Sequence, residues 1–286
     1  MTIKEIEESL EEGESLKTIA QAYSDIANLK IKRIRAVVER NSYFFQEISQ
    51  VYRLIKKLAE KRRVSYKKPK GIVSLILTSN YRFYGSINSD LIRFFTAVVK
   101  KINTDPAKGG TDIIVLGKAA IDYFKANKVF SNYQEILLKD DQPNAEELTN
   151  LINITSPYNQ VLVFHSRLKS LLTQEPVVTD ITATSTTTET DLTNPLNFRF
   201  IFEPELFKIL SFFDSQILTL LLESTFLESE LSRTASRFIS MDQAENEANK
   251  FIDEYEKLAS YTKRSMANNQ ILENFATMAA VRKGGI

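Results

Sequence analysis

Residues 217–241 read ILTLLLESTFLESELSRTASRFISM, and their spacing of apolar residues indicates how the chain is organised. Apolar and small residues recur in it at alternating steps of three and four: Ile217, Leu220, Ser224, Leu227, Leu231, Thr234, Phe238 and Met241. This heptad spacing keeps one side of a helix facing a partner helix. The stretch therefore predicts a long helix with a coiled-coil seam.

The same register continues in both directions. Upstream it passes through Leu206, Leu210 and Phe213 to Pro204, a residue well suited to the first turn of a helix. Downstream it includes Glu245, Ala248, Ile252, Tyr255, Ala259, Thr262 and Met266. The pattern predicts one helix over residues 204–280. At about 1.5 Å per residue it would be on the order of 110 Å long, so it needs a partner.

The beginning of the chain can supply that partner. A second series with steps of three and four consists of Ile34, Val37, Asn41, Phe44, Ile48, Val51, Ile55 and Leu58, preceded by Ile19, Tyr23 and Ile26. It predicts a helix over residues 2–63, with its seam on these side chains. The two helices are expected to pair antiparallel.

The middle of the chain has a different pattern. Apolar runs at 71–78, 112–117 and 160–164 predict buried strands, and helical segments fall at 88–101, 119–126 and 145–154. Segments 177–183 and 198–202 are expected to add antiparallel strands. Such alternation indicates a central Rossmann-like α/β domain. The predicted organisation is a coiled-coil helix at 1–66, the α/β domain at 67–203 and a second coiled-coil helix at 204–286.

The composition is that of an ordinary globular protein. The chain is 43% hydrophobic and 26% charged, with a formal net charge of +1. No apolar run approaches the roughly 20 residues of a membrane span, the N-terminus is acidic rather than signal-like, and cysteine is absent. We expect a cytoplasmic protein without direct membrane insertion, which reaches the inner face of the membrane only through partners.

Charge is distributed unevenly along the first helix. Residues 1–16 contain six Glu and one Lys, whereas residues 17–70 contain fifteen Lys or Arg and four acids. A basic helix is compatible with nucleic acid, but interleaved aromatic residues for base stacking are not obvious. We favour a surface for a protein partner.

No motif for catalysis, cofactor or metal emerges. The phosphate-binding pattern G-x-x-x-x-G-K-[ST] is missing, since Gly110 and Gly117 have the wrong spacing and Ala119 replaces the hydroxyl residue. His165 is the only histidine and is expected to be a packed or surface side chain. The adjacent acids Asp140 and Asp141 are expected to be solvated. We therefore expect no catalytic residue, cofactor or metal.

The sequence at residues 19–33, 78–89 and 232–241 resembles that of a known family, the gamma subunits of F-type ATP synthases. Residues 19–33, IAQAYSDIANLKIKR, are similar to the family pattern I-T-K-A-M-K-M-V-A-A-A-K-L-R-R-A. Residues 78–89, TSNYRFYGSINS, resemble T-S-D-R-G-L-C-G-G-L-N-S, and residues 232–241, SRTASRFISM, resemble S-E-x-A-A-R-M-V-A-M. The segments occur in the family's order, and the resemblance spans the chain.

The resemblance implies a non-catalytic central-stalk rotor. In the family the helix pair turns inside a ring of alternating alpha and beta subunits, and the α/β domain joins an epsilon-type subunit and a membrane ring, or a specialised adaptor. The implied rotor tip consists of Ile3, Ile6 and Leu10 beside Ile271, Leu272, Phe275 and Met278. Lys30, Lys32 and Arg33 are expected to lie against acidic loops of the ring, and Arg237 and Met241 complete the implied interface.

Departures from the family pattern point to a specialised member. Residues 5–13, EIEESLEEG, replace a basic tract, Arg233 replaces a Glu, and residues 81–83 differ. Two changes of charge on the shaft suggest that the facing surface of the ring has also changed the sign of its charge, because like charges across an interface cost affinity. The absence of Trp and abundant Lys, Ile and Asn favour a low-GC, mycoplasma-like bacterium, a group in which some such ATPases serve motility. Whether the complex makes or only consumes ATP is left open.

Two other classes of function remain at this point. One is a coiled-coil scaffold or a basic nucleic-acid-associated protein without ATPase partners, which salt-sensitive DNA binding would indicate. The other is an enzyme that uses the α/β domain, which would show turnover by the purified chain.

Overall fold

The computed structural model describes residues 2–61, 70–104, 110–182 and 203–283. It confirms the predicted architecture, with long first and last helices on either side of an α/β domain. The elements are α1 (Ile3–Lys61), β1 (Lys70–Leu77), α2 (Ile87–Thr104), β2 (Thr111–Leu116), α3 (Lys118–Asn127), β3 (Gln134–Ile136), α4 (Ala145–Thr155), β4 (Tyr158–Ser170), β5 (Thr173–Asp180) and α5 (Leu206–Lys283). The strand predicted at 198–202 lies outside the described residues.

The sheet has five strands in the order β3-β2-β1-β4-β5. Strand β1 pairs in parallel with both β2 and β4, β2 pairs in parallel with β3, and β4 and β5 form an antiparallel hairpin. Strand β4 continues beyond Phe164, where the prediction ended, because its polar second half pairs with β5. The three-residue edge strand β3 was not predicted, since its side chains are mostly exposed and carry no apolar signal.

Both faces of the sheet are covered, which explains the continuous apolar runs of the central strands. On one face Val73 and Leu75 pack with Leu151 of α4 and with Leu218 and Phe226 of α5. On the other face the residues that share the core are Ile76, Val115, Phe95 of α2 and Phe124 of α3. Helix α5 is therefore part of the core of the α/β domain.

The chain forms two compact units, and the first combines Met1–Ile26 with Phe238–Ile286. Within it, Glu7 pairs with Lys263 at 3.4 Å, and the side-chain amide of Gln21 donates to Glu245 at 2.7 Å. The partner's number falls as the α1 number rises, so the two helices are antiparallel in this unit, as predicted.

The seam of α1 in this unit differs from the prediction. The buried positions are Ile6, Gly13 and Ala20, spaced by seven, while Ile19 and Ile26 are 53% and 57% exposed. A Cβ atom at Gly13 would lie 3.0 Å from Cδ1 of Phe251, so the small residue permits close approach of the helices. The seam predicted at Ile19, Tyr23 and Ile26 is therefore wrong by one position.

The second unit, Ala27–Arg237, contains the sheet and the remaining parts of both helices. Here Lys30 pairs with Glu230 at 2.5 Å, and the Tyr52 hydroxyl donates to Asp214 at 2.6 Å, which again gives an antiparallel pair. Among the residues predicted for the α1 seam, Ile34 and Ile55 are buried. Phe44 and Val51 are 55% and 48% exposed, so their assignment was wrong.

Helix α5 follows its predicted seam closely. The predicted positions from Leu206 to Thr262 are all buried or half-buried, whereas Met266 is 56% exposed. The seam thus ends near Lys263, the residue that contacts the first turns of α1. No helix in the described part of the chain is long and apolar enough to cross a membrane.

Candidate functional site: a polar junction between the last helix and the sheet

The polar junction begins where β1 and β2 end at the same edge of the sheet. The Thr78 hydroxyl donates to the carbonyl of Leu116 at 2.8 Å and accepts from the amide of Ala120 at 3.1 Å. Gly117 has a φ of 92°, and a Cβ atom there would lie 2.3 Å from the carbonyl oxygen of Thr78. Only glycine fits, because both its backbone conformation and the close approach exclude a side chain.

Asn80 connects three segments of this edge. Its amide N–H donates to Oδ1 of Asp141 at 2.7 Å, and its side-chain nitrogen donates to the carbonyl of Leu138 at 2.9 Å. Its Oδ1 accepts from the amide of Lys118 at 3.0 Å. The loops that follow β1, β2 and β3 are thereby tied together.

Asp141 is the centre of the junction and is only 5% exposed. The Tyr84 hydroxyl donates to its Oδ2 at 2.5 Å. Burial, and then the hydrogen bond to the Asp141 carboxylate, raise the pKa of Tyr84 well above its usual value, so the phenol keeps its proton. The prediction that Asp141 is solvated was wrong, because its carboxylate accepts from two protein donors.

Helix α5 enters the junction through Arg233, which is 2% exposed. Its Nη1 donates to the Ser229 hydroxyl at 2.9 Å, and its Nη2 donates to the backbone carbonyl of Asp141 at 3.2 Å. Arg233 therefore lies inside the subunit. Its departure from the family pattern carries no information about the charge of a surrounding ring, which corrects the sequence-based argument.

Two more α5 residues contact the loop after β1. The Ser236 hydroxyl donates to the carbonyl of Tyr84 at 2.8 Å. The Arg237 guanidinium lies 4.0 Å from the centre of the Tyr84 ring and donates to the carbonyl of Arg82 at 3.2 Å. Positions 233, 236 and 237 share one helix face. The segments 78–89 and 232–241, distant in sequence, thus meet here.

The polar groups of the junction form hydrogen bonds mainly to other groups of the protein. The arginines donate to backbone carbonyls and a serine hydroxyl, and the one carboxylate is occupied by Tyr84 and Asn80. Within residues 2–61, 70–104, 110–182 and 203–283 no group of three or more His, Asp or Glu side chains could hold a metal ion. Hydrogen bonds to charged donors typically contribute about 1.5–3 kcal/mol each.

His165, which lies outside the junction, is fully buried on β4. Its Nε2 atom lies 3.0 Å from the Thr179 hydroxyl of the neighbouring strand. Burial, with a smaller effect from the nearby Arg167, lowers the pKa of His165 to about 4. The imidazole is therefore neutral at pH 7, in keeping with the packed side chain that the sequence predicted.

The structure separates the residues predicted for the ring interface into two groups. Ile6 and Met241 are buried, Ile3 and Leu10 are half-buried, Lys30 pairs with Glu230, and Arg237 covers Tyr84. The members of the other group are exposed: Lys32, Arg33, Ile271, Leu272, Phe275 and Met278. The predicted tip, with Ile3, Ile6 and Leu10 beside residues 271–278, is not formed, because Glu7 instead contacts Lys263.

Sequence reasoning missed the junction residues Tyr84, Asp141 and Ser236. A signal existed in part, since Tyr84 and Ser236 fall inside two of the segments that resemble the family. Asp141 lies in a loop with no motif, and only the fold brings it beside Tyr84. The charge of Arg233 was noticed, but its burial was not.

The fold and the junction define a stalk-type subunit, in which helices from the two ends of a chain pair and the second is fixed to an α/β domain. Comparison with known proteins identifies the family. A family model described as ATP synthase matches residues 2–281, and the chain therefore belongs to that family, as a gamma-type central-stalk subunit.

Two of the similar proteins are ATP synthase gamma chains that match along nearly their whole length. The ATP synthase gamma chain of Staphylococcus saprophyticus is 22% identical over 282 residues, covering 95% of this chain and 96% of the relative. That of Staphylococcus haemolyticus is 20% identical, covering 98% and 99%. The fold is similar to a chain of the Tetrahymena thermophila mitochondrial ATP synthase central stalk and c-ring, with a TM-score of 0.57, 17% identity and coverage of 79% and 99%. A chain of the Euglena gracilis mitochondrial enzyme has a TM-score of 0.54, 15% identity and coverage of 90% and 96%.

Proposed function

We propose that this chain is the torque-transmitting rotor of a rotary ATPase and has no catalytic activity of its own. In this proposal the paired helices turn inside a ring of alternating alpha- and beta-type subunits, where ATP is hydrolysed or made. The α/β domain connects the helices to an epsilon-type subunit and a membrane ring, or to a specialised adaptor. The complex would lie in the cytoplasm, on the inner face of the membrane.

One observation carries the proposal. The buried faces of α1 and α5 run antiparallel, and α5 is fixed to the α/β domain through Arg233, Ser236 and Arg237. A rotor needs both features, because a shaft that could unwind or slip on its base would lose the work done by the ring. In the described junction the Asp141 carboxylate accepts from Tyr84 and Asn80, and the α5 donors bond to backbone carbonyls, so these contacts serve to hold the helix.

The exposed members of the predicted interface are the residues that we propose to face the ring. Apolar side chains at 271, 272, 275 and 278 are 53–66% exposed on α5, beyond its contact with α1 at Lys263. Exposed apolar side chains clustered on one segment indicate an interaction site. Lys32 and Arg33 remain the candidates for contact with acidic loops.

The first turns of α1 support the proposal of a specialised complex. Six glutamates, at positions 5, 7, 8, 11, 12 and 14, are all exposed around the buried Ile6 and Gly13. Since like charges across an interface cost affinity, the surface opposite this segment is proposed to be basic. This argument from the exposed glutamates replaces the sequence-based argument from Arg233, whose side chain is buried.

Affinity purification of the tagged chain from its native cell tests the proposal. We expect P-loop ATPase subunits of alpha and beta type to be recovered in molar excess over this chain. Recovery of nucleic acid without ATPase subunits would contradict the proposal and support the scaffold alternative. The presence or absence of a membrane ring in the same preparation separates a synthase from a motor that only hydrolyses ATP.

A further inference from the structure

We propose that the polar junction is the torque clamp of this subunit, the place where turning force on α5 passes into the α/β domain. The clamp is defined by Arg233, Ser236 and Arg237 on α5 and by Tyr84 and Asp141 in the loops. This inference rests on the proposed rotor function. It goes beyond that function by assigning positioning roles to individual side chains.

The first argument is the change of chemistry along α5. Leu218, Leu222 and Phe226 pack on the sheet, whereas the next turns, from Ser229 to Ser236, are equally buried but mostly polar. Apolar contact is non-directional, so by itself it resists sliding or rotation of a helix weakly. Hydrogen bonds have preferred distances and angles, and they fix the rotation and the axial position of the helix.

The second argument is the nature of the acceptors. Arg233, Ser236 and Arg237 donate to the backbone carbonyls of Asp141, Tyr84 and Arg82, at 3.2, 2.8 and 3.2 Å. A backbone carbonyl cannot swing away as a long side chain can. Force on the helix is therefore delivered to the main chain of two separate loops.

The third argument is that these loops are themselves held. The Asp141 carboxylate accepts from the Tyr84 hydroxyl and from the amide of Asn80, and Asn80 in turn accepts from the amide of Lys118. The load on the two loops is thus shared with the ends of β1 and β2. Tyr84 has a double role, because its ring lies under Arg237 while its hydroxyl holds Asp141.

Helix α1 is tied to the same part of α5. Glu230 is 3% exposed, and its carboxylate pairs with Lys30 of α1 at 2.5 Å. The clamp therefore holds a segment at which both helices are already joined. Lys30 is 40% exposed but Glu230 is buried, so loss of Lys30 would leave a buried carboxylate without its charged partner.

The test measures the torsional stiffness of the assembled complex. The ring is immobilised and stalled without ATP, a bead is attached to the α/β domain, and the angular variance of the bead is recorded for wild type, Arg233→Gln and Tyr84→Phe. We expect the variance to rise at least two-fold in both variants. The matched control is Arg93→Gln, which removes an exposed arginine that pairs with Asp90 of its own helix.

Hydrolysis by the ring and the thermal unfolding of each variant are measured in parallel. A merely structural role would lower the unfolding temperature but leave the variance at 25 °C unchanged, and that outcome would overturn the clamp. If the Arg233→Gln variant does not assemble, the Tyr84→Phe variant decides alone, because it keeps the aromatic side chain beneath Arg237. Absence of an ATPase ring in the wild-type preparation would contradict the proposed function itself, so the two failures are distinguishable.

Discussion

At the residue scale, two glycines differ in whether their positions can accept a side chain. Gly117 adopts a φ of 92° against the carbonyl of Thr78, whereas a Cβ atom at Gly71 would meet nothing within 4 Å. We predict that Gly117→Ala lowers the free energy of unfolding by roughly 2 kcal/mol or more, since conformational strain adds to the clash. Gly71→Ala is the control and should change it by less than about 1 kcal/mol. Urea unfolding of the full chain measures both, and equal effects would contradict the close approach at Gly117.

His165 gives a residue-scale prediction for pH. Its pKa is about 4 in the folded chain and about 6.5 when unfolded, so below pH 6.5 only the unfolded state binds the proton. Stability should therefore fall by on the order of 3 kcal/mol as the pH is lowered from 6.5 to 4. His165→Asn should remove this part of the pH dependence. Denaturant unfolding between these pH values tests it, and identical slopes for the two proteins would contradict the burial of a neutral imidazole.

At the element scale, α1 has two competing stripes. Ile19, Tyr23 and Ile26 are more hydrophobic, yet the small residues Gly13 and Ala20 form the seam. We predict that Ala20→Asp lowers the melting temperature of the chain by roughly 5–10 °C, because a charge would be buried between the helices. Ile19→Asp is the matched control and should have little effect. Circular dichroism measures both melting temperatures. A larger decrease for Ile19→Asp than for Ala20→Asp would support the seam predicted from the sequence instead.

The same comparison shows what the sequence could and could not reveal. The seam of α5 was predictable because one apolar series continues without a competing stripe or a helix breaker. The seam of α1 was not predictable, because a search for hydrophobic residues passes over glycine and alanine. These small residues form the seam because they let the two helix backbones approach closely. Strands β1 and β2 and the first half of β4 were predictable from their apolar runs, but β3 and the polar half of β4 depend on neighbours in the sheet. The junction could not be predicted, because Asp141 meets Tyr84 and Arg233 only in the folded chain.

At the scale of the whole molecule, the acidic start of α1 predicts how the subunit recognises its ring. Glu8 and Glu12 are exposed, and Glu8→Lys with Glu12→Lys should slow association with the ring about ten-fold at low salt. Glu146→Lys on α4, also exposed, is the control and should leave the rate unchanged. Stopped-flow association at two salt concentrations measures this. Faster association of the double variant would contradict a basic partner surface.

The central claim is that both ends of the chain turn together as one rotor. The chain has no cysteine, so Gly13→Cys with Ile252→Cys introduces a single possible disulfide between the helices, at a point where a Cβ atom on residue 13 would lie 3.1 Å from Cγ1 of Ile252. The decisive measurement is ATP-driven rotation of the assembled complex before and after oxidation. We predict that the disulfide forms and that rotation continues at the same rate, because the bond lies within the rotor. Failure to form it, or arrest of rotation once it has formed, would contradict the account.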